Sequence, residues 1–257
     1  MALLVHKYGG TSVGTIERIQ AVAERIIRDK QLGHDIVVVV SAMAGETDRL
    51  IRLAKALADK PEPREYAMLV TTGEQVSSAL LAIALTQRGF AARSYSGCQT
   101  PIKTDCNYEM GEITHIETAE LKNTMANGHI PIVAGFQGMS EQGIMTTLGR
   151  GGSDTTAVAL AAALEADECR IYTDVDGVYN CDPHVYPQAQ KLDEVSIDIM
   201  LDMAAKGAKV LQLKAVEIAK RYQVPLRVLS SFAEGSGTII RYDSELKDRK
   251  IAAVNGY

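Results

Sequence analysis

The chain has 257 residues, 46% hydrophobic and 23% charged, enough to bury a sizeable core in one large or two modest domains. With no Trp, three Phe and ten Tyr, that core must be aliphatic. Lys and Arg total 27 against 32 Asp and Glu, and the net charge of −5 argues against a broad phosphate-neutralising surface for nucleic acid, while leaving room for a local basic pocket.

Residues 3–8 read as a strand stopped by Gly9 and Gly10. Ile16, Ile19, Val22 and Ile26 recur at three- and four-residue steps, the mark of a helix, with Gly33 beyond its end. Residues 36–40 are an unbroken β-branched run without polar alternation, as in a parallel-sheet strand buried on both faces. Leu50, Leu53, Ala54 and Leu57 mark a second helix, after which Pro61 and Pro63 break the chain. Residues 64–87 are helical in pattern, interrupted at Thr71–Gly73, and 91–95 suits a short strand. Residues 97–115 are polar and irregular, a loop or hairpin. A helix at 117–127, with Gly128 as its C-terminal cap, precedes a strand at 130–134. An alanine-rich helix at 155–164 and a strand at 168–173 follow. Helices at 200–205 and 210–221 and strands at 226–229 and 238–241 complete the pattern, which fades into a charged tail, 243–257. The recurring strand–helix order predicts an α/β sandwich around a mainly parallel sheet, without internal repeat or low-complexity segment.

Cys98, Cys106, Cys169 and Cys181 show no C-x-x-C or zinc-finger spacing and read as free thiols of a reducing compartment. No segment approaches the ~18 uninterrupted apolar residues of a membrane span. The N-terminal MALLVHKYGG has no basic region before its apolar run and no cleavage site after it. The expectation is a soluble, cytoplasmic protein with no membrane or nucleic-acid partner.

Ligands of open α/β sheets bind outside the carboxyl ends of the strands, so the residues after each strand carry the functional reading. The first strand ends in Lys7, Gly9, Gly10, Thr11 and Ser12, and the second leads into Ser41–Gly45 and Thr47. The strand at 130–134 is followed by Gly135 and Gly138, and the one at 168–173 by Asp174 and Asp176. Gly149-Arg150-Gly151-Gly152-Ser153-Asp154 stands before the alanine-rich helix. Glycine turns let backbone N–H groups approach an anion closely, and a helix N-terminus adds partial positive charge. Two such turns, Gly9-Gly10 and Gly151-Gly152, imply a polyanion, most simply a nucleoside triphosphate. Walker A, G-x-G-x-x-G and protein-kinase motifs are all absent. Lys7, at the end of a buried strand beside a glycine turn, reads as a phosphate ligand, because lysine is rarely buried unpaired. Asp174 and Asp176 read equally as turn formers, and Glu74 as a solvated helix face. Histidines 6, 34, 115, 129 and 184 form no cluster, and no metal site is expected on the protein.

Taken together, these blocks resemble the aspartate kinases of the amino acid kinase family. Lys7–Ser12, Val39–Asp48, Thr72-Gly73-Glu74, Gly135–Gly138 and Thr147–Thr156 carry the resemblance. Tyr172–Tyr179 with Asp182-Pro183, Gly207–Leu211, Val224–Val228 and Gly237-Thr238 continue it, in order, from about residue 3 to 241. The family's fold is a three-layer αβα sandwich. The resemblance implies a catalytic domain over 1–242, its N-terminal part binding the acid substrate and its C-terminal part the nucleotide. The implied reaction moves the γ-phosphoryl group of ATP, carried with Mg²⁺, to the β-carboxylate of L-aspartate.

By resemblance, Lys7, Asp154 and Lys209 are the catalytic set, Lys7 meeting the transferring phosphoryl group and Asp154 orienting it or placing the Mg²⁺-nucleotide. Arg150 clamps the α-carboxylate, Glu74 pairs with the α-ammonium, and Ser41, Thr47 and Ser153 hydrogen-bond substrate or phosphate. Gly9, Gly10, Ser12, Gly151, Gly152, Thr173, Asp174, Tyr179 and Asp182 join Lys7 and Lys209 around ATP. His184 stands where the family has Arg, which implies weaker ATP binding, and Gln212-Leu213 stand where His-Pro is common. Aspartate kinases usually continue into two regulatory ACT modules, and the chain stops where these would begin. A naturally short enzyme, a catalytic piece of a longer one and a subunit needing a separate regulatory partner all stay open, and a homodimer is expected by analogy. Lysine and threonine are expected not to inhibit the isolated chain. Two other readings remain: a kinase for another amino-acid carboxylate, and a noncatalytic nucleotide-binding regulatory paralogue.

Overall fold

The computed structural model describes residues 1–183 and 185–242, so the expectations for His184 and the 243–257 tail lie outside the described residues. In chain order the first half contains β1 (Leu3–Tyr8), α1 (Ile16–Gln31), β2 (Asp35–Val40), α2 (Glu46–Leu57), α3 (Pro63–Val70), α4 (Thr72–Gln87) and β3 (Ala92–Tyr95). Then come β4 (Ile102–Thr104), β5 (Ile113–Ile116), α5 (Ala119–Ala126), β6 (Ile130–Ala134), β7 (Gln137–Ser140) and β8 (Met145–Thr147). The second half contains α6 (Gly152–Leu164), β9 (Glu168–Thr173), β10 (Val178–Tyr179), β11 (Lys191–Leu192) and β12 (Glu194–Ser196). It closes with α7 (Ile197–Ala205), α8 (Leu213–Tyr222), β13 (Leu226–Ser230) and β14 (Thr238–Arg241).

Eight strands form the central sheet in the order β12-β14-β13-β9-β1-β2-β6-β3, and every neighbouring pair is parallel except β13 with β14. Strand alternation sends Val5, Val37, Val39, Val133, Cys169 and Ile171 to one side, where they pack with α6 and α8 residues such as Leu160, Val216 and Ala219. Tyr8, Ile36, Val38, Val40 and Ile132 face the other side and pack with Ile19, Val22 and Ile26 of α1 and Leu81 and Leu85 of α4. Two cores on opposite faces of one sheet make the expected three-layer αβα sandwich. Each fully buried aliphatic side chain contributes about 1.5–3 kcal/mol.

Local signals set most boundaries. Thr15 caps α1 by accepting from the Arg18 N–H, and Gly33, at φ 87°, follows its last turn. The alanine-rich helix opens at Gly152, three residues earlier than expected, because Gly151 turns the chain at φ 70° and lets Ser153 and Asp154 enter the first turn. Likewise α7 opens at Ile197, where the Ser196 hydroxyl accepts from the Ile199 N–H at 3.2 Å. Residues 97–115 do contain a hairpin strand pair, β4 with β5, which joins β7 and β8 in a separate four-stranded sheet. Pro63–Gln87 is long and apolar enough by composition to cross a membrane, but it is two helices, and α4 lies against the sheet. All four cysteines are free, Cys98 and Cys106 exposed, Cys169 and Cys181 buried.

Candidate active site

The turns at the carboxyl ends of the central strands are stitched together by backbone hydrogen bonds that continue the sheet ladder. Gly9 N–H donates to Tyr172 O at 3.2 Å, Ser41 N–H to Tyr8 O at 3.0 Å, and Gly135 N–H to Val40 O at 2.9 Å. Two glycines permit the close approaches. A Cβ on Gly135 would lie 2.8 Å from the Ser153 Cβ, and one on Gly73 2.8 Å from the Ala42 Cβ. Gly135 thus brings the start of α6 against the sheet edge, and Gly73 does the same for α4. The result is a cleft of about 550 Å³.

Lys7 enters this cleft from β1 and Asp154 from the first turn of α6, Nζ to Oδ1 2.7 Å apart, each side chain about one-tenth exposed. The buried lysine therefore has its partner, and the two charges offset each other's desolvation. Glu74, from the first turn of α4, is only 3% exposed. Its Oε1 accepts from the Ala42 N–H at 3.1 Å, whereas the buried Oε2 has no partner among the described residues. Burial pushes its carboxyl up to about 7, against the Ala42 N–H, which favours the carboxylate. The solvated face expected for Glu74 is thus a buried one. Ser41 Oγ donates to Ser153 Oγ at 3.0 Å, so these hydroxyls are joined on one wall. Arg150 and Lys209 line the cleft as exposed cations and engage no other described side chain.

Gly9, Gly10, Thr47, Gly151, Gly152, Thr173 and Asp174 also line the cleft. Three expected site residues do not. Ser12 is fully buried, and its hydroxyl donates to Ser231 Oγ at 2.8 Å. The Tyr179 hydroxyl donates to Asp176 Oδ1 at 2.8 Å, and Asp182 lies in the turn after β10, its carbonyl accepting from Val185 and Tyr186. Residue-type reasoning left Phe136 and Gln212 without roles, although both line the cleft. Phe136 holds φ 68°, a left-handed conformation that is strained for an aromatic residue. Its N–H donates to Thr156 Oγ1 at 3.2 Å and its carbonyl accepts from Leu148 N–H at 2.8 Å. The only sequence signal was its place between Gly135 and Gly138. Gln212 packs so closely on Gly151 that a Cβ there would fall 1.9 Å from the Gln212 Cγ.

Residues 2–230 match the family model described as the amino acid kinase family. The chain is 55% identical over 256 residues to the aspartokinase of Pseudomonas aeruginosa, covering 100% of this chain and 62% of that protein. Among solved structures, the aspartate kinase of Synechocystis superposes with a TM-score of 0.84 at 47% identity, covering 98% of this chain and 41% of that one. The E. coli aspartokinase III complex with aspartate and ADP superposes with a TM-score of 0.82 at 28% identity, covering 93% of this chain and 64% of that one. The chain spans about 60% of the length of the curated relatives it matches. The sheet order, the strand-end cleft and the match over residues 2–230 lead to one conclusion: the chain belongs to the amino acid kinase family.

Proposed function

We propose that the chain carries the catalytic site of an aspartate kinase, which transfers the γ-phosphoryl group of ATP to the β-carboxylate of L-aspartate. The products are 4-phospho-L-aspartate and ADP. The observation that carries this reading is that one cleft holds the Lys7–Asp154 pair, the exposed Arg150 cation and a buried Glu74 oxygen without a partner. An amino-acid substrate complements that set: its α-ammonium meets Glu74 Oε2 and its α-carboxylate the Arg150 guanidinium, in a bidentate pair. The same two ions appear on free aspartate, and a structural relative is described with aspartate and ADP bound.

The chemistry explains the residue types. The attacking β-carboxylate has an ordinary pKa of about 3.9, so it is ionised at neutral pH and needs no general base. The obstacle is bringing one anion against another, which alignment and charge neutralisation overcome. Lys7, held by Asp154, faces the transferring group, while N–H groups of the Gly9-Gly10 and Gly151-Gly152 turns receive phosphate oxygens. Ser41, Ser153 and Thr47 donate to substrate or phosphate, and Thr173, Asp174 and Lys209 flank the nucleotide. Tyr179, the last residue of β10, and Asp182, just after it, are assigned to the nucleotide side by family resemblance alone, since neither lines the cleft. Among the described residues no cluster of three or more His, Cys, Asp or Glu is placed to hold a metal. Asp174, which lines the cleft, would offer its carboxylate to a Mg²⁺-nucleotide, whose ion would otherwise be held by phosphate oxygens and water. When bound, Mg²⁺ supplies further neutralisation of phosphate charge. We place the enzyme in the cytoplasm, on the route to lysine, threonine and methionine.

The test is trapping of the acyl phosphate as a hydroxamate, with aspartate, glutamate and N-acetylglutamate as acceptors and the Lys7→Ala variant as control. Product with aspartate alone is expected. Equal product with N-acetylglutamate, which lacks the ammonium group, would overturn the role of Glu74.

A further inference from the structure

Ser231 was singled out by no motif, and it lies outside the cleft. It is 6% exposed and follows β13 directly. The hydrogen bonds around it run in one direction. Ser12 Oγ–H donates to Ser231 Oγ at 2.8 Å, and Ser231 Oγ–H donates to Thr173 O at 3.0 Å. The Ser231 N–H reaches the same Thr173 carbonyl at 2.8 Å. Ser12 belongs to the 3-10 turn Thr11–Val13, directly after Gly9-Gly10, and Thr173 ends β9. Ser231 therefore adds a side-chain bridge between the two neighbouring turns after β1 and β9, beyond the backbone bond from Gly9 N–H to Tyr172 O.

The far side of Ser231 is anchored as well. The Arg18 guanidinium of α1 donates to the Ser231 carbonyl and lies 4.0 Å over the Phe232 ring. Arg25 donates to Ala233 O at 3.4 Å, and Arg28 pairs with Glu234 at 2.8 Å. Arginines at three points along α1 thus hold the segment 231–234, and Ser231 passes that fixed position to the phosphate turn. The lever is short. A Cβ on Gly9 would lie 3.5 Å from Lys7 Nζ and 3.9 Å from Ser12 Oγ, so Ser12, Gly9 and the Lys7 ammonium are packed as one unit.

We infer that Ser231 is a positioning residue for nucleotide binding, which through Ser12 and Thr173 sets the separation of the Gly9-Gly10 turn from the β9 turn. The inference rests on the nucleotide assignment above and is independent of which acid is phosphorylated. The acid side of the cleft, Glu74 on α4 and Arg150 before α6, hangs from other elements and lies outside the relay.

The experiment is a double-mutant cycle on the full chain, reading the ADP dissociation constant by titration calorimetry for wild type, Ser12→Ala, Ser231→Ala and the double variant. Each single variant leaves one buried hydroxyl or carbonyl short of a partner, and a rise in Kd of about five- to tenfold is expected. The double variant should match the singles, because either change breaks the same relay. In the hydroxamate assay KM for ATP should rise with Kd, while KM for aspartate stays within about twofold, a split that general destabilisation does not produce. If Ser231→Ala fails to fold, Ser12→Ala breaks the relay from its other end and carries the same prediction. An unchanged Kd in a folded variant, a double-variant Kd equal to the product of the single effects, or equal rises in both KM values overturns the inference. Wild type that binds ADP but phosphorylates no aspartate refutes the substrate assignment alone, and the Kd cycle still decides the role of Ser231. Wild type that binds no ADP refutes the nucleotide assignment, and the inference falls with it.

Discussion

Glu74→Gln separates what the buried carboxylate costs the fold from what it gives the site. The carboxyl is held near 7 rather than at its ordinary value of 4.5, chiefly by burial. At 1.36 kcal/mol per pH unit this corresponds to about 3 kcal/mol. The sign follows from proton counting. Between pH 4.5 and 7 the unfolded chain has lost this proton while the folded chain keeps it, so this group's contribution to stability falls as pH rises through that window and is level above it. Glutamine imitates the protonated acid: one oxygen still accepts from the Ala42 N–H, and no charge is buried. Urea unfolding of wild type and variant at pH 5 and pH 8 reads the effect. The variant should gain up to about 3 kcal/mol on wild type between the two pH values. The same substitution removes the partner of the substrate ammonium and should raise KM for aspartate at both pH values, while wild-type KM falls as pH rises through 7. Parallel stability–pH curves for the two proteins would refute the reasoning, since they require Glu74 to be ionised and solvated in the fold.

Three further substitutions test other parts of the account. Lys7→Ala should lower kcat in the hydroxamate assay by about 10²–10³-fold. By leaving the buried Asp154 unpaired, it should also cost about 3 kcal/mol or more in urea unfolding. Arg150→Lys changes an exposed side chain, so unfolding should be unaffected. KM for aspartate should nonetheless rise about tenfold with loss of the bidentate clamp, and KM for ATP should hold. Gly237→Ala lies far from the chemistry, but its φ of 66° and a Cβ 2.0 Å from Val228 O predict a loss of about 2 kcal/mol or more, read as a lowered thermal midpoint. An unchanged midpoint would contradict the turn geometry between β13 and β14.

The legible parts of this fold are those where one physical rule acts alone. β2 and β6 are covered on both faces, so their apolar runs are unbroken and their ends obvious. The glycine turns after those strands locate the cleft, because a ligand at a strand end needs close backbone approach. Lys7 was legible because burying a lysine demands a partner, although its identity as Asp154 came from family likeness. β7, β8, β11 and β12 are two to four residues long and draw on Gly, Ser, Thr, Gln or Lys, and β10 is only Val178 and Tyr179, so no alternation marks them. Ser12 shows the other limit. Its motif suggests a phosphate ligand, but its hydroxyl is taken by Ser231, 219 residues away, a pairing that exists only once β13 lies beside β9. Glu74 is similar, since its polar neighbours Thr72 and Gln75 say nothing of the close approach at Gly73 that buries it.

The central claim is that one cleft holds a zwitterionic amino acid, with its ionised side-chain carboxylate, and a nucleotide side by side through opposed fixed charges. A crystal structure of the chain with L-aspartate and ADP tests it most directly. The account predicts the α-ammonium within hydrogen-bond distance of Glu74 Oε2, the α-carboxylate on Arg150, and the β-carboxylate facing Lys7 across from the ADP phosphates. Aspartate bound with its ammonium away from Glu74, or ADP outside the Gly9-Gly10 turn, would contradict it.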